Sequence, residues 1–291
     1  MRRARATAAE QPAIVATAAA MRALATQWRR EGRTIGVVPT MGALHAGHLS
    51  LVEQSNRDCG RTVVTIFVNP LQFGPGEDFG KYPRTLDSDL AQLSAVGADA
   101  VYTPSVDEMY TPGATVRVSV GGVDQALEGQ SRPGHFDGVA TVVVKLFNAT
   151  RPDRAYFGQK DAQQAALITK LARELDTGIE IVVCPIVREP DGLALSSRNA
   201  YLSPVERAAA TCLSRALGAV QEAWAAGERD WTALTLAMTR VLDAEPLARV
   251  DYAQLVDPET FNPPGRLAVM AVRIGATRLI DNHLLEGPPS R

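Results

Sequence analysis

Apolar residues along this chain fall into two alternating patterns. Short continuous runs rich in β-branched side chains, residues 35–39 and 62–68, predict strands covered on both faces. Weaker runs at 99–103, 154–157 and 180–185 extend the set. Between them, segments 48–59, 85–96, 138–150 and 161–175 carry apolar positions at helical spacing. Strands and helices alternating in this way predict βαβ units and a parallel sheet, hence an α/β fold. Ahead of the first strand, the Ala-rich run 13–25 leads into Gln27-Trp28-Arg29-Arg30-Glu31-Gly32 as an amphipathic helix. Thr17 suits its N-cap and Gly32 the position just past its C-terminus. The Gly- and Pro-rich stretch 104–133 is expected to hold irregular connections.

The pattern changes near Arg188. Ser203-Pro204-Val205-Glu206 reads as a helix start, with Ser203 as N-cap, Pro204 in the first turn and Glu206 closing a capping box. Helices are expected at 204–226 and 230–244, then strands at 250–256, 266–274 and 277–284 forming a small antiparallel set. The expected organisation is therefore a parallel-sheet domain over 1–187 and a smaller α+β domain over 188–291.

Composition narrows the function classes. A net charge of −2 over 291 residues offers no broad basic field for nucleic acid, so any cations that hold an anionic substrate must be local. Three scattered cysteines without a Cys-x-x-Cys pair fit reduced thiols better than a disulfide framework. Residues 1–11 are expected to be a disordered leader. No apolar stretch has the length of a membrane span, so a cytoplasmic protein with no membrane partner is expected. Gly74, Pro75, Gly76 and Gly80 suggest a flexible gate over 74–82.

Four polar clusters sit where strands end, which is where α/β sheets place ligands. The first, Pro39-Thr40-Met41-Gly42-Ala43-Leu44-His45-Ala46-Gly47-His48, follows a strand and sets two imidazoles three positions apart beside a glycine. Imidazoles donate hydrogen bonds to phosphate oxygens, and Gly47 permits close backbone approach. Two such histidines could instead share a metal, but no third carboxylate or thiol stands nearby in the sequence. The second cluster, Asn69-Pro70-Leu71-Gln72-Phe73, offers amides for hydroxyl and carboxylate groups, or simply an Asn-Pro turn. The third is Phe157-Gly158-Gln159-Lys160-Asp161-Ala162-Gln163-Gln164. There Lys160 supplies a point charge for phosphate, and Asp161 either caps the helix or orients Lys160. In the fourth, Leu195-Ser196-Ser197-Arg198-Asn199, two hydroxyls and a guanidinium lie on a loop suited to closing over a triphosphate.

These phrases, with Tyr82-Pro83-Arg84-Thr85 and Arg132-Pro133-Gly134-His135-Phe136-Asp137-Gly138-Val139, occur in the order seen in the pantoate–β-alanine ligase family. The chain resembles that family from about residue 14 to 283; the family is related to nucleotidylyltransferases and class I aminoacyl-tRNA synthetases. The resemblance implies a Rossmann-like N-terminal domain with a smaller C-terminal lid, a homodimer, and ATP and Mg²⁺ as co-substrate and cofactor. It implies condensation of pantoate with β-alanine through a pantoyl-adenylate, releasing AMP and diphosphate. Carried over by motif, Met41, Gly42, Ala43, Leu44, His45, Ala46, Gly47 and His48 would line the ATP site, with His48 as proton donor. Gly158, Gln159, Lys160 and Asp161 would also contact ATP, with Lys160 on the phosphates. Val187, Leu195, Ser196, Ser197 and Arg198 would complete that site.

Gln72 and Gln164 would hold pantoate, with Asn69 and Pro39 beside them. His45, His48, Lys160 and Arg198 form the expected catalytic set, and Asp89 the expected metal-side carboxylate. Three positions depart from the family pattern: Ala46 in place of Glu, Ser88 within Asp87-Ser88-Asp89, and Leu195 where Met is common. Two other readings remain: an adenylyltransferase that keeps AMP on its product, and an inactive nucleotide-binding protein.

Overall fold

The computed structural model describes residues 11–74 and 78–286. The expected leader therefore lies outside the described residues except for Gln11, as do residues 75–77 of the expected gate. The chain divides into two compact units. One comprises Met1–Ser119, Asp137–Phe157 and Leu171–Val183; the other comprises Val120–Phe136, Gly158–Lys170 and Cys184–Arg291.

Through the first part of the chain the elements run β1 (Ala13–Val15), α1 (Ala18–Arg30), β2 (Ile35–Thr40), α2 (Ala46–Asp58), β3 (Arg61–Ile66), α3 (Leu86–Ala95) and β4 (Ala100–Tyr102). They continue with α4 (Val106–Met109), α5 (Glu128–Ser131), α6 (His135–Thr150), β5 (Arg154–Gly158), α7 (Ala162–Glu174) and β6 (Glu180–Cys184). The six strands form one sheet in the order β1-β4-β3-β2-β5-β6. The pairings from β1 through to β5 are parallel, as the alternating pattern predicts. Ile35, Val37, Val38, Val63 and Val64 are fully buried, so the two central runs owe their unbroken apolar character to cover on both faces.

Strand order reverses between β2 and β5, the position where open sheets of this kind bind ligands at the carboxyl ends of their strands. The C-terminal ends of β2 and β5 lead directly into the histidine motif and the 158–164 motif.

Helix α1 buries Met21, Ala25 and Trp28, one face at helical spacing, and Thr17 caps it by accepting from the Ala20 N–H at 3.2 Å. The short strand β1 had no counterpart among the expected elements. Its three residues blend into the Ala-rich run, and it pairs only with β4 as an edge strand. The stretch 104–133 holds the two four-residue helices α4 and α5 and a 3-10 turn at Val123–Gln125.

The last elements are α8 (Pro204–Ala209), α9 (Cys212–Ala225), α10 (Trp231–Asp243), β7 (Ala248–Val256), β8 (Leu267–Ile274) and β9 (Thr277–Leu284). The predicted antiparallel set is a three-stranded sheet, β7-β8-β9, whose central strand β8 is buried at every position but Arg273. Ala268, Met270 and Val272 of β8 share one core with Leu213, Leu217 and Val220 of α9 and Leu234, Met238 and Leu242 of α10. The single helix expected at 204–226 is two. The Thr211 hydroxyl donates to the Ala208 carbonyl at 2.7 Å and the Thr211 N–H takes the same acceptor, so the chain turns before α9 begins. Ser203 and Glu206 form the predicted capping box, with Pro204 in the first turn.

Candidate active site

The expected site residues fall into two sets, one in each unit. In the first, β2 ends at Thr40, whose hydroxyl donates to the Thr65 carbonyl at 2.7 Å and accepts from the Gly42 N–H at 3.2 Å. The backbone then passes through left-handed conformations at Gly42 (φ 82°) and Ala43 (φ 50°). This twist turns two successive N–H groups toward one carboxylate. The Ala43 N–H donates to Asp89 Oδ2 at 3.0 Å and the Leu44 N–H donates to Oδ1 at 2.9 Å. The Thr85 hydroxyl adds contacts of 3.3 Å to both oxygens. A side chain at 42 would meet Asp89 Oδ2 at 3.0 Å and Ile66 Cγ2 at 3.1 Å, so glycine is required there twice over, for space and for φ.

Asp89, expected on the metal side, also has a structural part to play. It is 1% exposed, and its oxygens latch the loop that carries the motif.

The two histidines form the N-terminal cap of α2. His45 is the N-cap residue, and its Nδ1 accepts from the Gly47 N–H at 3.2 Å. His48 Nδ1 accepts in turn from the His45 N–H at 3.4 Å, a capping box built from imidazoles. The ring centroids lie 4.0 Å apart. An Nδ1 that accepts a hydrogen bond carries no proton, so the tautomer this cap favours has the ring proton on Nε2. The cap thereby sets the tautomer, and it does so at the positive end of a 13-residue helix, a setting that favours anions.

Asn69 caps the 3-10 turn Pro70–Gln72, accepting from the Leu71 N–H at 3.2 Å. It is 1% exposed, and the Asn-Pro turn reading holds for it. Its Oδ1 also accepts from the Tyr110 hydroxyl at 2.8 Å, while Nδ2 donates to Gln72 Oε1 at 3.0 Å and to the Gly138 carbonyl at 3.1 Å. Gln72 Nε2 in turn lies 3.0 Å from Met41 Sδ. Asn69 therefore fixes which end of the Gln72 amide faces the Met41 loop. Burial pushes the Tyr110 phenol well above its ordinary range, which keeps it a donor at the far end of this chain of contacts. Pro39 lies on β2, opposite Thr65 of β3.

The second unit begins this stretch at Gly158, the last residue of β5, followed by a 3-10 turn at Gln159–Asp161 and the start of α7. Lys160 Nζ lies 3.5 Å from Asp161 Oδ1, and no side chain caps the turn at Gly158. Gln163 is buried and clamps the start of α5, accepting from the Glu128 N–H at 3.1 Å and donating to the Ala126 carbonyl at 2.9 Å. Gln164 is partly exposed. Val187 and Leu195 are joined by a backbone hydrogen bond of 3.0 Å. Ser196 caps the 3-10 turn Ser197–Tyr201 and accepts from the Arg198 N–H at 3.3 Å. Ser197 and Arg198 are partly exposed.

Glu128, absent from the expected set, is buried within this unit. It accepts from both terminal nitrogens of Arg278, at 2.8 and 2.7 Å, and from the Tyr252 hydroxyl at 2.7 Å. Burial alone would raise its pKa, but the Arg278 hydrogen bonds and charge outweigh it and hold the carboxyl below its ordinary value. Sequence spacing gives no sign of this group, nor of Tyr110 or Asn282, because each acts across a long separation.

A parallel α/β sheet with a paired-imidazole helix cap at its switch point defines a nucleotide-dependent enzyme. The chain matches the model for pantoate-beta-alanine ligase over residues 13–284. It is similar to a pantothenate synthetase from Roseiflexus castenholzii, 58% identical over 257 residues that cover 87% of this chain and 92% of the relative. The structure of pantothenate synthetase from Thermus thermophilus superposes with a TM-score of 0.90 at 45% identity, covering 94% of this chain and all of that one. A pantoate-beta-alanine ligase from Francisella tularensis, solved with beta-gamma ATP and beta-alanine, gives 0.79 at 34% identity, with coverages of 96% and 100%. The chain belongs to the pantoate-beta-alanine ligase family: it is an ATP-dependent ligase that makes pantothenate from pantoate and β-alanine. Among the described residues, no helix is long and apolar enough to cross a membrane.

Proposed function

We propose that the ligase works in two steps through a pantoyl-adenylate, with His45 and His48 serving the nucleotide. In the first step a pantoate carboxylate oxygen attacks the α-phosphorus of ATP, and the bond to the β-phosphate oxygen breaks to release diphosphate. A carboxylate cannot itself acylate an amine because oxide is the leaving group; the mixed anhydride replaces oxide with AMP. In the second step the neutral β-alanine amine attacks the acyl carbon, AMP departs, and the amine proton passes to solvent.

The observation that carries this reading is the imidazole cap. Its hydrogen bonds leave Nε2–H as the donor on each ring, and donors fixed in advance are worth most where phosphate charge builds up. Met41, Gly42, Ala43, Leu44, Ala46 and Gly47 line the nucleotide with the histidines. Gly158, Gln159, Lys160 and Asp161 take the phosphates, with Lys160 as the point charge. Val187, Leu195, Ser196, Ser197 and Arg198 complete the nucleotide contacts, and residues 188–291 act as the lid. Gln72 and Gln164 hold pantoate, with Pro39 beside them. Asn69 works through Gln72, whose amide it orients.

Magnesium belongs to this reading only as the companion of ATP. Asp89 remains the carboxylate of this reading on the metal side: each of its oxygens accepts one backbone N–H, which leaves a further lone pair on each. Among the described residues no group of three or more His, Cys, Asp or Glu side chains could hold a metal ion, and no step here is routed through one. A homodimer and a cytoplasmic location belong to the same reading and rest on the family resemblance.

Rapid quenching with β-alanine left out tests the scheme. Pantoate and ATP should yield one diphosphate per enzyme together with bound pantoyl-adenylate, and added β-alanine should then release AMP. Diphosphate release that requires β-alanine, or AMP retained on the final product, would contradict it.

A further inference from the structure

A buried amide on β9 holds the turn that carries Lys160. Asn282 is 3% exposed, and its Nδ2 donates to the Gln159 carbonyl at 2.9 Å and to the Lys160 carbonyl at 3.0 Å. Carbonyls only accept, so the end of the amide facing them must be the NH₂ group. Its Oδ1 accepts from Gln159 Nε2 at 3.0 Å, which satisfies the other end. Asn282 is itself braced. Its N–H donates to Asp281 Oδ1 at 2.8 Å, and Asp281 receives both Arg188 terminal nitrogens, at 2.6 and 2.9 Å. Asp281 is 2% exposed and Arg188 partly exposed, and the two make a bidentate pair of the kind that fixes geometry.

The turn has no side-chain cap of its own at Gly158, and the adjacent Lys160–Asp161 contact of 3.5 Å cannot set a backbone path. The position of the Lys160 main chain is therefore decided by a residue more than a hundred positions away.

We infer that Asn282 is a positioning residue for the ligase reaction: by gripping the Gln159 and Lys160 carbonyls it aims the Lys160 ammonium at the ATP phosphates, with Arg188 and Asp281 as its brace. The inference rests on the reading that Lys160 contacts phosphate. A side chain displaced by about 1 Å can cost on the order of 10²-fold in rate, so a clamp of this kind is worth having.

The test is a double-mutant cycle on pantoate-dependent ATP–diphosphate exchange. Asn282→Asp keeps the acceptor for Gln159 but points an oxygen at two carbonyls; Asn282→Ser is the uncharged alternative should that variant not fold. Either should slow exchange by about 10- to 100-fold and raise the KM for ATP, while kcat/KM for β-alanine in the full ligase reaction stays unchanged. Lys160→Ala should slow exchange by about 10²–10³-fold. In the Lys160→Ala background the Asn282 substitution should cost less than about a further twofold, because its effect passes through the missing ammonium. Multiplicative losses, with Lys160→Ala slow as expected, overturn the positioning role alone. Exchange at wild-type rate in Lys160→Ala overturns the phosphate reading and the positioning role with it.

Discussion

The histidine loop and the lysine turn leave the ends of adjacent strands, β2 and β5, yet they are held in opposite ways. The two histidines hold themselves, although the loop that leads to them is latched by Asp89. His45 and His48 cap α2 through backbone groups two and three residues away, and their own ring nitrogens make the cap. The lysine turn has no side-chain cap of its own at Gly158. Its carbonyls are gripped by Asn282 of β9, and the helix that follows is tied through Gln163 to the segment of Glu128. A self-capped loop writes its support into its own motif. A turn braced from afar shows only the residue it presents.

The largest effect belongs to the self-capped side. His48→Ala removes the proposed phosphate donor and one arm of the cap, and should slow adenylate formation by about 10²–10³-fold with the fold intact. Stopped-flow measurement of adenylate formation, with thermal unfolding as control, reads both. A large loss of stability with only slight slowing would reverse the comparison.

Next comes the brace of the remote-held side. Glu128→Gln breaks a buried ion pair and should cost about 3 kcal/mol of unfolding free energy at neutral pH. The Glu128 carboxyl is held below its ordinary value of 4.5, so its stabilisation is complete above that value. It is lost as pH falls through the lowered folded-state value. Urea titrations should therefore show wild type and variant far apart at neutral pH and converging in acid.

Asp89→Asn is smaller. An amide can accept from one of the Ala43 and Leu44 N–H groups but turns its own donor toward the other, which costs about 1–3 kcal/mol. Weaker ATP binding by calorimetry, with pantoate binding little changed, is the expected result. Smallest is Tyr110→Phe, which removes one hydrogen bond from Asn69, worth about 0.5–1.5 kcal/mol. It should raise the KM for pantoate several-fold and leave that for ATP alone.

Legibility in the sequence follows the same division. The β-branched runs of β2 and β3 announced themselves because both faces are buried, and the caps at Thr17 and Ser203 were readable because capping is local. The histidine pair was conspicuous for that reason too, although its use of both Nδ1 atoms as cap acceptors was not. For Asp89 the sequence shows the charge but not the two N–H groups that loop back to it from 46 and 45 positions away. The same blindness hid Tyr110 behind Asn69, Glu128 behind Arg278, and Asn282 behind Lys160. β1 escaped notice for a different reason: three residues of edge strand carry too little periodicity to stand apart from an alanine-rich run.

The most direct test of the central claim is the tautomeric state of His45 and His48, read by long-range ¹H–¹⁵N correlation spectra of the ligand-free protein at neutral pH. The cap geometry predicts an unprotonated Nδ1 and a protonated Nε2 on both rings, with ATP analogues shifting the Nε2 protons and leaving the tautomers unchanged. A proton on Nδ1 of either ring, or Nε2 signals indifferent to the analogue, would contradict the account.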